Sequence, residues 1–247
     1  MIAYWARLDT LGLSITWASR LDITPDGARR MQSSLRPNSP PVATDGLIQF
    51  AHPALKLQGQ WTPIDPPYAA VLHESEEGSV DWRCHCPRGH VAVQLNGRTV
   101  IGLGYAEQLT MTIPPWRLPI SELRWGRFLS PEIGLVWIRW DGATPLGLAL
   151  HNGRPARRHS IDDDGITADG LTLSLEPRCT IREGRIGPNM LYAIPGIDRV
   201  APRSILNAHE TKWLSRGCVQ PPDGNAAPSP GGWAIHELFR FAGEAPS

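Results

Sequence analysis

No stretch of this 247-residue chain approaches the roughly 18 consecutive apolar residues that a membrane-crossing helix needs, so no transmembrane helix is expected. Net charge is missing as well, since 24 Lys and Arg balance 24 Asp and Glu. That balance removes the usual electrostatic case for a nucleic-acid partner or an anionic membrane surface. Cysteine is scarce. Cys84, Cys86, Cys179 and Cys218 do not have the spacing of a secreted disulfide framework. The N-terminus also lacks a basic leader followed by an apolar core and a small-residue cleavage site. Both points lead to an expected cytoplasmic location.

Several chemical signatures are absent too. There is no P-loop and no G-x-S-x-G elbow. The run Gly102-Leu103-Gly104-Tyr105 lacks the third glycine and the following helix of a dinucleotide fingerprint. His209-Glu210 and His236-Glu237 each lack the second histidine of a zinc-protease helix. The stretch 84–90 (CHCPRGH) carries two cysteines and two histidines but no C-x-x-C pair. No metal and no cofactor are therefore expected.

What the chain does contain is glycine and proline, 24 of each, and ten tryptophans, with only 19% charged residues. This composition fits many short strands joined by turns and fits long helices poorly. The length suits one large all-β domain or two small ones. Asn96-Gly97 and Asn152-Gly153 are hairpin turns by sequence. Pro53 should split 47–60 into two short strands or place it at an edge. The segments 36–46, 113–119 and 220–232 read as loops, Pro25–Gly27 as a turn, and the polar segment 154–170 as exposed. Residues 1–23 read as one or two strands, with a short helix near Tyr4–Leu13 as the alternative.

Residues 102–140 concentrate the chemistry. Trp116, Trp125, Trp137 and Trp140 lie here with Tyr105, Glu107, Glu122, Arg117, Arg124, Arg127 and Arg139. Large aromatics beside ionisable groups suit a pocket that binds an apolar molecule and moves protons on it. Strand side chains alternate faces, so Ile101, Leu103, Tyr105 and Glu107 share one face. Trp233, Ile235, Glu237, Phe239 and Phe241 share another. A carboxylate among large apolar groups must be protonated or paired. A protonated one serves as a general acid near neutral pH, whereas a paired one is structural. Arg124 and Arg127 are candidates for pairing these acids or for binding a planar anion on a ligand.

The order of features in residues 82–140 resembles the carotenoid 1,2-hydratase and AttH-like family, which includes fungal lipocalin-like Diels–Alderases. Trp82 precedes Pro87. A hairpin then leads into Gly102, Gly104, Tyr105 and Glu107, followed by a Pro-containing loop. Next come Trp125 and Arg127 on one strand, and then the Asp141-Gly142 turn. The closing Gly232, Trp233 and Glu237 are also similar to family C-termini. In the family, the acid is commonly Asp followed by Asn-Trp-Gly. Here it is Glu107 followed by Gln108-Leu109-Thr110.

The resemblance implies two lipocalin-like antiparallel β-barrel halves packed side by side, divided here into 1–142 and 143–247. It also implies an apolar pocket, no cofactor, and hydration, isomerisation or cyclisation of a hydrophobic, terpenoid or polyketide-like substrate. On this reading Glu107 is the general acid/base, Tyr105 its hydrogen-bond partner, and Arg127 the group that tunes it. Trp116, Trp125, Trp137, Trp233, Arg124 and Glu237 line the substrate. The rival readings are a carrier that holds a lipid or pigment without chemistry, and an interaction domain that displays surface tryptophans. A homodimer is left open.

Overall fold

β-Branched and aromatic residues alternate with polar ones along most of this chain, and the backbone follows that pattern. The structure, a computed structural model, describes residues 1–10, 12–24, 29–44, 46–163, 165–189, 202–220 and 231–241. A first sheet holds β1 (Ile2–Thr10), β2 (Leu13–Ile23) and β3 (Arg29–Ser34) in that order. A second holds β4 (Val42–Thr44), β5 (Leu47–His52), β6 (Leu57–Pro63), β7 (Tyr68–Ser75), β8 (Gly78–Leu95) and β9 (Arg98–Met111). The third has nine strands. They are β10 (Ile120–Leu129), β11 (Gly134–Gly142), β12 (Leu146–His151), β13 (Arg154–Pro155), β14 (His159–Ile161), β15 (Gly165–Ala168), β16 (Leu171–Arg185), β17 (His209–Gln220) and β18 (Gly232–Arg240). The pairings within these sheets are antiparallel, so the chain is all-β as its composition indicates. Among the described residues, α1 (Ile186–Asn189) and α2 (Arg203–Leu206) are single turns of helix.

The nine-stranded sheet runs in the order β13-β12-β11-β10-β18-β17-β16-β15-β14, and it curls until β14 and β15 meet β12. Its inner face forms a barrel-like core of Phe128, Leu135, Trp137, Ile161, Ile166, Ala168, Leu173, Val219 and Ala234. Three glycines make room for the large rings. A Cβ at Gly126 would lie 2.2 Å from the Trp137 ring, and one at Gly217 or Gly232 would lie 2.6 Å from the Phe128 ring.

The outer face of this barrel packs against the second sheet. Leu72, Val80, Trp82 and Cys84 meet Val136, Ile138, Trp140 and Leu150 there. The three-stranded sheet sits between the other two. Its Ala18 packs with Phe50, Leu57 and Trp61 of the second sheet. Its other face, with Ile2 and Leu21, packs on Ile181 and Leu214 of the third.

Where the backbone departs from expectation, tertiary packing explains it. Residues 1–23 form the expected two strands and not the alternative helix, because β1 and β2 pair in unbroken register from Ile2↔Leu21 to Thr10↔Leu13. The polar segment 154–170 contains β14 and β15. Ile161, Ile166 and Ala168 within it are buried and close the barrel. The segment 36–46 contains β4. Pro53 divides β5 from β6 through a 3-10 turn, with Lys56 in the left-handed region. Asn96-Gly97 and Asn152-Gly153 both have positive φ at each turn position. The expected turn at Pro25–Gly27 and most of the 220–232 loop lie outside the described residues.

A buried ion pair fastens the second sheet to the third. Arg88 holds Asp65 through two hydrogen bonds, of 3.0 and 2.8 Å, and also donates to the Pro131 carbonyl. Asp65→Asn leaves Arg88 buried without its counter-charge and is expected to cost about 3–5 kcal/mol by urea unfolding. Gly126→Ala is expected to cost about 1–3 kcal/mol through overpacking against Trp137. The control Gly102→Ala should change the unfolding midpoint little, since a Cβ there meets nothing within 4 Å.

Candidate active site

The Asn96-Gly97 hairpin delivers Glu107, but not in the register that counting from the turn gives. Near the turn Leu95 faces Arg98 and Gly89 faces Gly104. Strict extension of that register would set Glu107 opposite Cys86. Irregularities between Gly89 and Cys86 and between Cys86 and Cys84 shift the pairing, so Glu107 faces Cys84. The shift moves the carboxyl beside Trp82, which is fully buried in the core between the second and third sheets.

There the Glu107 Oε2 atom accepts two hydrogen bonds, from the Tyr105 hydroxyl at 2.5 Å and from the Trp82 indole N–H at 2.7 Å. The Oε1 atom receives no hydrogen bond from the described residues. Trp125 on β10 meets Trp82 edge to face, with ring centroids 6.0 Å apart. The Arg127 guanidinium lies 4.9 Å over the centre of the Tyr105 ring. Glu107, Tyr105, Arg127 and Trp125 thus converge, two from β9 and two from β10.

Glu107 is solvent-accessible, yet burial is the largest influence on its carboxyl. The carboxyl is thus closely surrounded by protein while part of the residue reaches solvent. Burial raises its pKa above the ordinary 4.5, and the Glu237 charge adds to the rise. The Arg127 charge and the hydrogen bonds from Tyr105 and Trp82 oppose it, and the net direction is upward. Burial also pushes the Tyr105 phenol and the Cys84 thiol well up, reinforced by the Glu107 charge, so both stay protonated at neutral pH.

Other expected residues fall elsewhere, and strand parity explains most of this. On β10, Arg124 points to the opposite face from Trp125 and Arg127. It is bound by Glu122, by Asp163 at 2.9 Å and by Asp141 at 3.5 Å. Trp137 is buried inside the barrel, 6.4 Å from the His236 ring. Trp116 and Trp233 are exposed, and Arg216 lies 4.9 Å over the Trp233 ring. Glu237 faces the same way as Trp125, its register partner on β10. Its carboxylate is ion-paired with Lys212.

That lysine belongs to a network invisible in the sequence pattern. Lys212 also contacts Glu210 at 3.3 Å and the Tyr4 hydroxyl at 2.9 Å, and Glu210 in turn holds Arg182 at 3.0 Å. Burial alone would lower the Lys212 pKa. The charges of Glu237, Tyr4 and Glu210 outweigh it and hold the ammonium protonated. Trp82, the second donor to Glu107, was legible only as a feature of the family resemblance. Its role depends on the bulged register. A separate cleft of about 330 Å³, lined by Arg139, Trp140, Asp141, Leu146, His159 and Asp162 among others, includes none of the converging residues. Its Arg139 is paired with Asp141 at 3.2 Å.

No family model matches the chain, and no curated protein matches it. Among solved structures, a crystal structure of CghA with Sch210972 is similar over 97% of this chain and 74% of that one, at 6% identity and a TM-score of 0.49. A crystal structure of CghA is similar over 98% and 74%, at 8% identity and a TM-score of 0.48. Likeness at that level carries no weight for the site or its chemistry. Among the described residues no helix is long and apolar enough to cross a membrane.

The raised carboxyl has a consequence for stability. A group whose folded pKa exceeds its unfolded value contributes stability that is complete below the unfolded value. That contribution is lost as pH rises through the folded one. Wild type should therefore lose stability relative to Glu107→Gln as pH rises from about 4.5 through the raised value. Paired urea titrations across this range measure the difference, and a flat difference would show that Glu107 does not titrate abnormally.

Proposed function

We propose that this chain is a cofactor-independent enzyme that performs acid/base-assisted hydration, isomerisation or cyclisation on a hydrophobic, terpenoid or polyketide-like substrate. The observation that carries this reading is the Glu107 carboxyl. One of its oxygens is held by Tyr105 and Trp82 while the other takes no hydrogen bond from the described residues, and burial raises its proton affinity. The resemblance of residues 82–140 to carotenoid hydratases and their relatives points the same way.

The roles follow from the geometry. Neutral Glu107 donates its proton from the open side to an alkene carbon, and the π electrons form the new C–H bond. The Tyr105 and Trp82 hydrogen bonds then stabilise the carboxylate left behind. The neighbouring cation is captured by water, which returns a proton to Glu107. Alternatively it is captured by a second alkene, and the cyclised cation then loses a proton to Glu107, or it loses a different proton to Glu107 directly. These outcomes are hydration, cyclisation and isomerisation respectively. The Trp125 ring offers the cation a π face. Positioned proton transfer of this kind contributes on the order of 10²–10⁴ in rate.

A carrier has no need of a reachable ionisable group, and Glu107 is reachable. The exposed Trp116 and Trp233 favour an interaction surface, but Arg216 already covers Trp233.

Native mass spectrometry of purified wild type and Glu107→Gln, with extraction of bound compounds, tests the proposal. Wild type should release a product-like compound. Glu107→Gln should retain one that differs by a water or by isomerism. Release of the same unaltered lipid or pigment from both would transfer the protein to the carrier class.

A further inference from the structure

β9 carries the most exposed large apolar side chain among the described residues, Ile101 at 78%, next to Val100 at 52%. Its first half runs in unbroken register along β8, from Leu95↔Arg98 to Gly89↔Gly104. The two-residue Asn96-Gly97 turn makes Leu95↔Arg98 a hydrogen-bonded pair. Arg98, Val100, Gly102 and Gly104 therefore direct their peptide groups to β8, and Thr99, Ile101 and Leu103 point theirs away from it. No other described strand takes these up. Sheet edges are normally guarded by shortness, charge, lysine or proline. β4 is three residues long, β3 begins with Arg29 and Arg30, and β1 carries Arg7 and Asp9. β9 is fourteen residues long, holds neither proline nor lysine, and has no charged residue between Arg98 and Glu107.

We infer that residues 98–104 of β9 are a dimerisation edge, and that its partner is the same segment of a second copy, added antiparallel with Ile101 on the twofold axis. Antiparallel addition of a strand to its own copy closes after two subunits. With Ile101 facing its counterpart, Thr99 of each copy faces Leu103 of the other. All three outward-pointing residues then pair their peptide groups. On the other face Val100 meets Gly102 of the copy. A Cβ at Gly102 finds nothing within 4 Å, so that open place receives the exposed valine. Neighbouring registers fit less well. An axis at Val100 sets valine on valine. An axis at Gly102 sends Val100 to Gly104, where the Trp61 ring already lies 2.8 Å from a Cβ position. In the chosen register Arg98 lies opposite Gly104, which keeps the two like charges about 20 Å apart along the strands. The ladder ends before Tyr105 and Glu107, so the inference is independent of the chemistry proposed above.

Sedimentation velocity of the full chain at rising concentration should show a reversible monomer–dimer equilibrium. Ile101→Lys sets two ammonium groups against each other on the axis and should raise the dissociation constant at least about tenfold. At a concentration where wild type is monomeric, its thermal midpoint should match wild type, which is the check on folding. The double variant Val100→Cys/Gly102→Cys should give a covalent dimer in oxidised glutathione, because non-hydrogen-bonded neighbours across an antiparallel pair lie within disulfide reach. Val100→Cys alone should not, and neither should wild type, whose exposed Cys218 makes it the control. A chain that is monomeric at every concentration leaves the edge to a strand of a different protein and overturns the inference. Assemblies that grow past two copies, a dimer indifferent to Ile101→Lys, or a dimer that the cysteine pair fails to link also overturn it.

Discussion

The buried Arg88–Asp65 pair is the joint on which the geometry around Glu107 depends. Asp65 follows β6, Arg88 lies in the irregular middle of β8, and the Pro131 carbonyl that Arg88 also grips belongs to the turn between β10 and β11. Gly134, at the start of β11, packs so closely that a Cβ would lie 3.0 Å from both Arg88 and Asp65. One salt bridge therefore sets the β10–β11 hairpin against the second sheet. Glu107, Tyr105 and Trp82 come from that sheet, whereas Arg127 and Trp125 come from β10. A buried pair of this kind adds little net stability over an apolar substitute, but it penalises every arrangement that separates its members. Its contribution here is to positioning.

The same interface shows how strand periodicity sorts chemistry. Trp125 and Arg127 look outward from the barrel toward Trp82 and Tyr105. Arg124, Gly126 and Phe128 look the other way, into the barrel or its rim. A shift of one residue would exchange the two sets. Glycines beneath Trp137 and Phe128 hold the sheet to this register, because any other residue at those positions would strike a ring. Packing inside the barrel thereby decides which arginine meets Tyr105.

Much of the fold was legible in the sequence because alternation, Asn-Gly turns and prolines act locally. The divided strand at Pro53 and the two hairpins are examples. The strands within 154–170 were not legible, because a single apolar residue every few positions gives no pattern until the opposite side of the barrel is known. For the candidate site, Tyr105 and Glu107 are two residues apart on one strand, and period two was enough to join them. The Trp82 contact needed the shifts at Cys86, which no turn signal announces. The Lys212 network joins β1, β16, β17 and β18, and such long-range ion pairing leaves no local trace. The separation of Arg124 from Arg127 follows from parity once β10 is known to be a regular strand.

β9 is bonded on one side only: it pairs with β8, and no other described strand joins it. The strand that carries Glu107 and Tyr105 is thus also the margin of its sheet. Half of its peptide groups are fastened and half face outward, and Val100, Ile101 and Leu109 are uncovered along it. The same fourteen residues therefore hold both groups and end the sheet. Loosening of this one ladder would shift Glu107 and Tyr105 with no hinge between the sheets and no movement of the Arg88 joint. Such a margin yields stepwise, one residue pair at a time.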